Sequence, residues 1–232
     1  PNTFKMEIKP AILQAHRTQF NLIKVKTKSG RTVTATKDHS FLVCNEFNEI
    51  TSKSGKELKV GDLIPVAEKI NFPTLVTQID NYQLTKALGW LIGIYLAEGS
   101  QYKSYITIHN TDKLIQDKTI QFANEIGLKT KHTRRYVIIK GKQFRNFIVK
   151  YFKYRAQSKR IAGWVYFSPI EFRRWLLKGY FAGDGEFCYP IGATSKSKEL
   201  RDGIALLLTS FGIATRFDTK TNKKYGKYYN KF

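Results

Sequence analysis

Two carboxylates, Glu98 and Asp184, close two stretches of the same make-up: LIGIYLAEG at residues 91–99 and LKGYFAGDG at residues 177–185. Gly93 and Gly179 each stand five residues before the acid, and Gly99 and Gly185 each follow it directly. Both stretches read as the last turns of buried helices. A helix C-terminus carries roughly half a negative charge, so an acid in that turn is repelled unless a cation lies near. Two such acids brought together repel each other as well. A divalent cation removes these conflicts: Mg²⁺ favours carboxylate oxygens and is commonly held by one or two of them with several waters. A metal held between carboxylates beside phosphate suits phosphodiester hydrolysis, because it activates water and stabilises the leaving oxygen. The plainer reading makes each acid a polar helix end capped by the following glycine. Recurrence of the whole pattern at one spacing favours the metal site.

The elements that must position these acids follow from the flanking pattern. Residues 84–97 are almost continuously apolar, which predicts a helix buried on most faces. Gly89, Gly93 and Ala97 fall four apart, and Gly179 and Gly183 repeat that spacing. A glycine inside a helix costs up to about 1 kcal/mol relative to alanine. Close helix-on-helix packing, of the kind small residues four apart permit, offsets that cost. The two helices are therefore expected to pack on each other.

The repeat continues beyond the acids. After Glu98, β-like YITIH at 105–109 leads into DKLIQDKTIQFANEIGL, an amphipathic helix ending at Gly127. After Asp184, a β-like stretch leads into SKELRDGIALLLTSFGI, ending at Gly212. Lys113 and Lys198 correspond, as do Gly127 and Gly212, at an offset of 85 against 86 for the acids, so one residue is inserted. Two units, about 84–155 and 170–232, related by a pseudo-twofold axis would set Glu98 and Asp184 side by side. In the first, residues 130–141 predict a hairpin and 143–152 a further helix. Too little chain follows Ala214 for a copy of that helix. The basic tail KTNKKYGKYYNKF reads either as a further strand or as a flexible phosphate-binding arm.

The beginning of the chain has a different rhythm. Residues 20–43 alternate apolar and polar on both sides of Ser29-Gly30, the pattern of a β-hairpin. LKVGDLIPVAE at 58–68 predicts another short β segment with Gly61-Asp62 at a turn. The fold class expected is α+β: a small all-β domain over residues 1–75, then a larger domain over 76–232.

With 232 residues, 42% hydrophobic, the chain can bury a real core. No run is long and apolar enough to suggest a membrane span, and no leader is visible, so a soluble intracellular protein is the expectation. Lys and Arg number 40 against 18 Asp and Glu, giving a formal charge of +22 and a pI near 9.9. That balance argues against an enzyme of small metabolites and for a polyanionic partner, nucleic acid above all. A lysine-rich solvated surface of the thermophile kind is compatible with the same numbers. Cys44 and Cys188 are far apart and without a CxxC pattern, which supports neither a disulfide framework nor a structural zinc site.

The paired stretches resemble the motifs of LAGLIDADG homing endonucleases in their single-chain form, and the resemblance covers residues 84 to about 217. It implies α/β units whose antiparallel sheets form a saddle on DNA, and Mg²⁺-dependent cleavage of both strands by a monomer, with Mn²⁺ as a substitute ion. On that resemblance the final acids, Glu98 and Asp184, are both catalytic and metal-holding. Leu96 and Ala182 stand where the motif has its first Asp, a position that is not a ligand. The family also places a basic or polar residue near each acid to orient water. The candidates are His109 with Asn110, and Lys196 with Ser195. His109 equally suits a DNA contact. Saddle positions expected to meet DNA are Lys103, Tyr105, Thr107, His109, Lys131, Thr133, Arg135 and Thr194.

The first domain resembles the N-terminal part of the Hint splicing domain of inteins. Thr36-Lys37-Asp38-His39 is similar to its TxxH motif, and VGDLIPV to a later strand. The chain begins at Pro1 without the splicing nucleophile and ends at Phe232 without the His-Asn pair, so splicing by this chain alone is not expected. A relict motif, a trimmed intein, or a domain reused for DNA binding remain open. So does a non-cleaving maturase or regulator on the same fold.

Overall fold

Residues 9–14, 21–222 and 227–231 are described by a computed structural model. The chain divides into two compact units, residues 1–71 with 209–217, and residues 72–208 with 218–232. The expected boundary at 75/76 is a single cut, whereas this division crosses the chain three times, at 71/72, 208/209 and 217/218. The start at Pro1, the end at Phe232 and residues 223–226 of the basic tail lie outside the described residues.

In the first unit the predicted hairpin forms: β1 (Leu22–Lys26) pairs antiparallel with β2 (Thr32–Thr36), and Gly30 turns the chain at φ +83°. A second hairpin joins β3 (Ser40–Cys44) to β4 (Ile50–Ser54). Residues 58–68 do not form the expected strand. Only an isolated bridge from Cys44 to Leu63 remains of it. The expected turn is present: Asp62 accepts from the Lys59 N–H at 2.7 Å and from Lys53 Nζ, holding the chain at Gly61, whose φ is +104°. Residues 213–217 run back past the first hairpin, where Phe217 N–H donates to Ser29 O and Arg31 reaches both Thr215 oxygens.

The second unit opens with a small hairpin, β5 (Gln78–Ile79) and β6 (Tyr82–Gln83), too short to show in the sequence pattern. Helix α1 (Lys86–Glu98) follows, with the Thr85 hydroxyl accepting from Leu88 N–H at its start. Every residue from Ala87 to Leu96 is buried, as the continuous apolar run requires. Next come β7 (Gly99–Gln101), β8 (Tyr105–Ile108), α2 (Lys113–Glu125), β9 (Thr130–His132), β10 (Val137–Lys140) and α3 (Lys142–Phe152). Helix α4 (Ile170–Asp184), β11 (Gly185–Glu186), β12 (Gly192–Ser195), α5 (Lys198–Ser210), β13 (Asp218–Asn222) and β14 (Lys227–Lys231) complete the chain. The described parts of the basic tail are thus strand.

Two four-stranded antiparallel sheets result, with orders β7-β8-β10-β9 and β11-β12-β14-β13. Ile106, Ile108, Val137 and Ile139 are buried on one face of the first sheet. Alternation puts Ser100, Tyr105, Thr107, Ile138 and Lys131 on the other. The fold is a mixed α/β fold with small antiparallel sheets, and no helix among the described residues is long and apolar enough to cross a membrane.

Helices α1 and α4 pack backbone to backbone. A Cβ placed on Gly93 would collide with Leu176 O and lie 2.7 Å from Tyr180 N. One placed on Gly179 would collide with Trp90 O and lie 3.0 Å from Ile94 N. The contacts are reciprocal, since Trp90, Gly93 and Ile94 stand at the same offset of 86 from Leu176, Gly179 and Tyr180.

Candidate active site

Glu98 and Asp184 are the last residues of α1 and α4, so the packing of those helices decides where both carboxylates go. At the site end the approach is maintained by Gly183, where a Cβ would sit 2.6 Å from Ala97 Cβ and 2.8 Å from Glu98 Cγ. The glycine stripe therefore sets the acids next to each other. Each feels the consequence. Burial, then the neighbouring Glu98, push the Asp184 carboxyl up to about 6, with Lys159 opposing. Burial likewise raises Glu98, with Lys159 and then His109 opposing.

Lys159, which sequence reasoning missed, is the cation that a pair of acids at helix ends requires. It is only 5% exposed, and its Nζ donates to Tyr95 O at 2.8 Å, Gly99 O at 2.9 Å and Leu96 O at 3.1 Å. All three ammonium hydrogens are spent on carbonyls at the end of α1, among them Tyr95 O, which also accepts from Gly99 N–H. Burial pulls the ammonium down to about 8, against the pull of Asp184 and Glu98. The backbone of Lys159 is held too, because Ser197 Oγ donates to its carbonyl at 2.6 Å while accepting from Leu200 N–H. A cavity of about 240 Å³ opens beside it, lined by Ala97, Ala156, Lys159, Asp184, Thr194 and Lys196 among others.

The predicted partners of the acids are distributed unequally. His109 lies beside the first acid: its N–H donates to Glu98 O at 3.1 Å, and its Nε2 is 3.0 Å from Thr107 Oγ1. Lys196 borders the cavity next to Asp184. It is not the register counterpart of His109. Gly99 pairs with Ile108 and Gly185 with Ala193, so the residue matching His109 is Thr194. The inserted residue lies in the β7–β8 turn.

Among the positions expected to meet DNA, Tyr105, Lys131 and His109 share the outer face of the first sheet. Thr107 is on that face too, but it is 3% exposed and meets the His109 ring. Lys103 belongs to the β7–β8 turn. Thr133 and Arg135 make the β9–β10 turn, where Thr133 Oγ1 accepts from Arg135 N–H. In the first unit Thr36 ends β2 and His39 is exposed in the turn after it, its N–H donating to Thr36 O.

The donor set suits Mg²⁺ or Mn²⁺. Two partly buried carboxylates, both raised by burial and Asp184 raised further by Glu98, offer a cation what it needs, and no cluster of three or more His, Cys, Asp or Glu side chains exists among the described residues. Mg²⁺ is typically held this way, with few protein oxygens and the remainder from water and phosphate.

The sequence model of the intein splicing domain matches residues 2–227. The chain belongs to the intein splicing family. Its relatives include DNA-directed RNA polymerase subunit Rpo1C of Methanocaldococcus jannaschii, 36% identical over 90% of this chain and 28% of the relative. Replication factor C small subunit of the same organism is 27% identical over 90% of this chain and 11% of the relative. This intein-family chain thus spans under a third of those proteins. Among solved structures, I-DmoI in complex with DNA and Mn is 13% identical with a TM-score of 0.44, covering 64% of this chain and 90% of that one. Full-length DUF199/WhiA from Thermatoga maritima is 11% identical with the same score, covering 67% and 53%. Likenesses of that degree carry no weight beyond the geometry above.

Proposed function

We propose that this intein-family protein is a site-specific double-strand DNA endonuclease, acting as a monomer whose two α/β units are related by a pseudo-twofold axis. The observation that carries the reading is the burial of Glu98 and Asp184, with Asp184 in the field of Glu98, at the ends of two helices that touch through glycine backbones. The reciprocity of the contacts at Gly93 and Gly179 supports the pseudo-twofold, because a self-complementary contact is what a twofold axis produces. The surplus of cations supports a polyanionic substrate.

Glu98 and Asp184 would hold Mg²⁺ or Mn²⁺, which when bound supplies an activated water and charge compensation at the scissile phosphate. Lys159 stays protonated near neutral pH. It anchors the last turn of α1, and its field holds both acids nearer to ionisation. His109, oriented by Thr107, and Lys196 at the cavity rim are placed to bind and orient water or phosphate. Tyr105, Lys131 and Thr194, with Lys103, Thr133 and Arg135 from the turns, form the DNA face. Arginine suits guanine and lysine suits phosphate.

The test is cleavage of a randomised duplex library with Mg²⁺, beside Glu98→Gln and Asp184→Asn. Discrete cuts that vanish in both variants support the endonuclease. Tight, salt-sensitive binding without cutting under any divalent ion would replace it with a non-cleaving nucleic-acid binder.

A role in protein splicing is favoured separately by family membership and by the Thr36–His39 turn. Placing the chain between two reporter proteins, with flanking residues from its gene, tests this: a joined reporter that lacks the intervening chain supports splicing.

A further inference from the structure

The outer faces of the two sheets are not equivalent. In the first, Ser100 pairs with Thr107 and His109 follows on the same face. In the second, Glu186 pairs with Gly192 and Thr194 follows. A carboxylate therefore occupies the position of a serine hydroxyl, whereas the matching face of the first sheet carries hydroxyls, an imidazole, lysine and Ile138 but no acid.

That placement has a chemical consequence. An ionised carboxylate only accepts hydrogen bonds, and phosphate oxygens only accept as well, so Glu186 cannot serve the DNA backbone. It is also held in place. Thr194 Oγ1 donates to Glu186 Oε1 at 2.8 Å across the strand pair. Gly192 opposite adds no side chain to cover it. Glu186 is half-buried, two residues beyond Asp184. Of the base edges in the major groove, cytosine offers a donor, its N4 amino group, without an acceptor on the same base beside it. Guanine offers N7 and O6 acceptors, and adenine sets N7 next to its amino group.

We propose that Glu186 is a specificity-determining residue that reads a cytosine in the half of the target served by the second sheet, with Thr194 as its positioning partner. The proposal rests on the reading of the protein as a DNA endonuclease.

The experiment selects cleaved sequences from a randomised duplex library with the full chain, as wild type, Glu186→Gln and Glu186→Ala. Wild type is expected to require C·G at one position of one half-site, preferring it about tenfold to a hundredfold, the range that a single mismatched pair commonly produces. Glu186→Gln should move that position to A·T, because Gln pairs bidentately with adenine N6 and N7. Glu186→Ala should accept all four base pairs there. Preferences in the other half-site should stay as in wild type. Unaltered preference at every position in Glu186→Gln would overturn the proposal. So would loss of cleavage on all sequences by a variant that melts like wild type, which would make Glu186 part of the machinery. If wild type cuts nothing, the endonuclease reading falls, and the same library is read for bound sequences. Cytosine enrichment that Glu186→Gln moves to adenine then supports the proposal, and its absence overturns it.

Discussion

The C-terminal ends of α1 and α4 are nearly superposable in sequence pattern and unlike in charge. Both end in an acid followed by a glycine whose N–H bonds back to the residue three positions before that acid. At the end of α1, three carbonyls accept from Lys159, and both Lys159 and His109 favour the ionised form of Glu98. For Asp184 the opposing cation is Lys159, and the carboxyl keeps its proton up to about pH 6. Two acids in one repeated motif are thus not two equal groups. The reciprocal glycine contacts of the two helices set their positions, and the unlike surroundings divide their protonation.

The largest effect tests the backbone symmetry itself. Gly93→Ala drives a methyl into Leu176 O, and Gly179→Ala drives one into Trp90 O. Each should destabilise the protein by about 3 kcal/mol or more, beyond ordinary overpacking because backbone cannot give way as a side chain can. Thermal melts of both variants check this. If one is tolerated and the other is not, the reciprocity is only apparent.

Removing the asymmetric cation comes next. Lys159→Met takes one donor from each of three carbonyls at the end of α1 and deprives both acids of its field. Cleavage should fall by about a hundredfold or more, as when a preorganised charge is lost. The pH below which cleavage fails should rise. A fall in rate with no change in the pH profile would reduce Lys159 to a structural clamp.

The protonation difference should appear directly in that profile. If cleavage runs through ionised Asp184 as proposed, its rate in the wild type should drop about tenfold per pH unit below pH 6. Stability runs the opposite way. The folded protein keeps the Asp184 proton up to about 6, against the usual 3.8 for an exposed aspartate. The resulting stabilisation is full below 3.8 and lost as pH rises through 6. Asp184→Asn, permanently neutral, should therefore melt a few degrees higher than wild type at pH 7, an effect of roughly 1–3 kcal/mol, while Glu98→Gln gains less.

Much of this site is visible in the residues alone. The doubled acid-glycine pattern and the glycines four apart locate both helices and their contact, because an interior glycine carries a cost that only close packing offsets. Lys159 is not visible. It lies in a connector, YRAQSKRIAG, with several cations and no periodicity, and only the fold brings it to α1. An offset of 85 against 86 shows that a residue is inserted but not where, so the sequence leaves Thr194 or Ser195 as the counterpart of His109, and strand register gives that place to Thr194. Residues 58–68 alternate like a strand. The expected turn at Gly61-Asp62 forms, held by the bonds from Lys53 and Lys59 to Asp62, but beyond one bridge at Leu63 the flanking residues find no strand to pair with.

Lys159 belongs to neither repeated half. Its carbonyl is held by Ser197 of the second and its ammonium by α1 of the first. The tether that joins the halves is therefore also a working part of the centre. Halves shuffled between related chains, or expressed apart and mixed, would restore the helix pair but leave its counter-charge dependent on which half kept the tether. Modularity in this protein runs through its joint, and a cut there separates more than two copies of one unit.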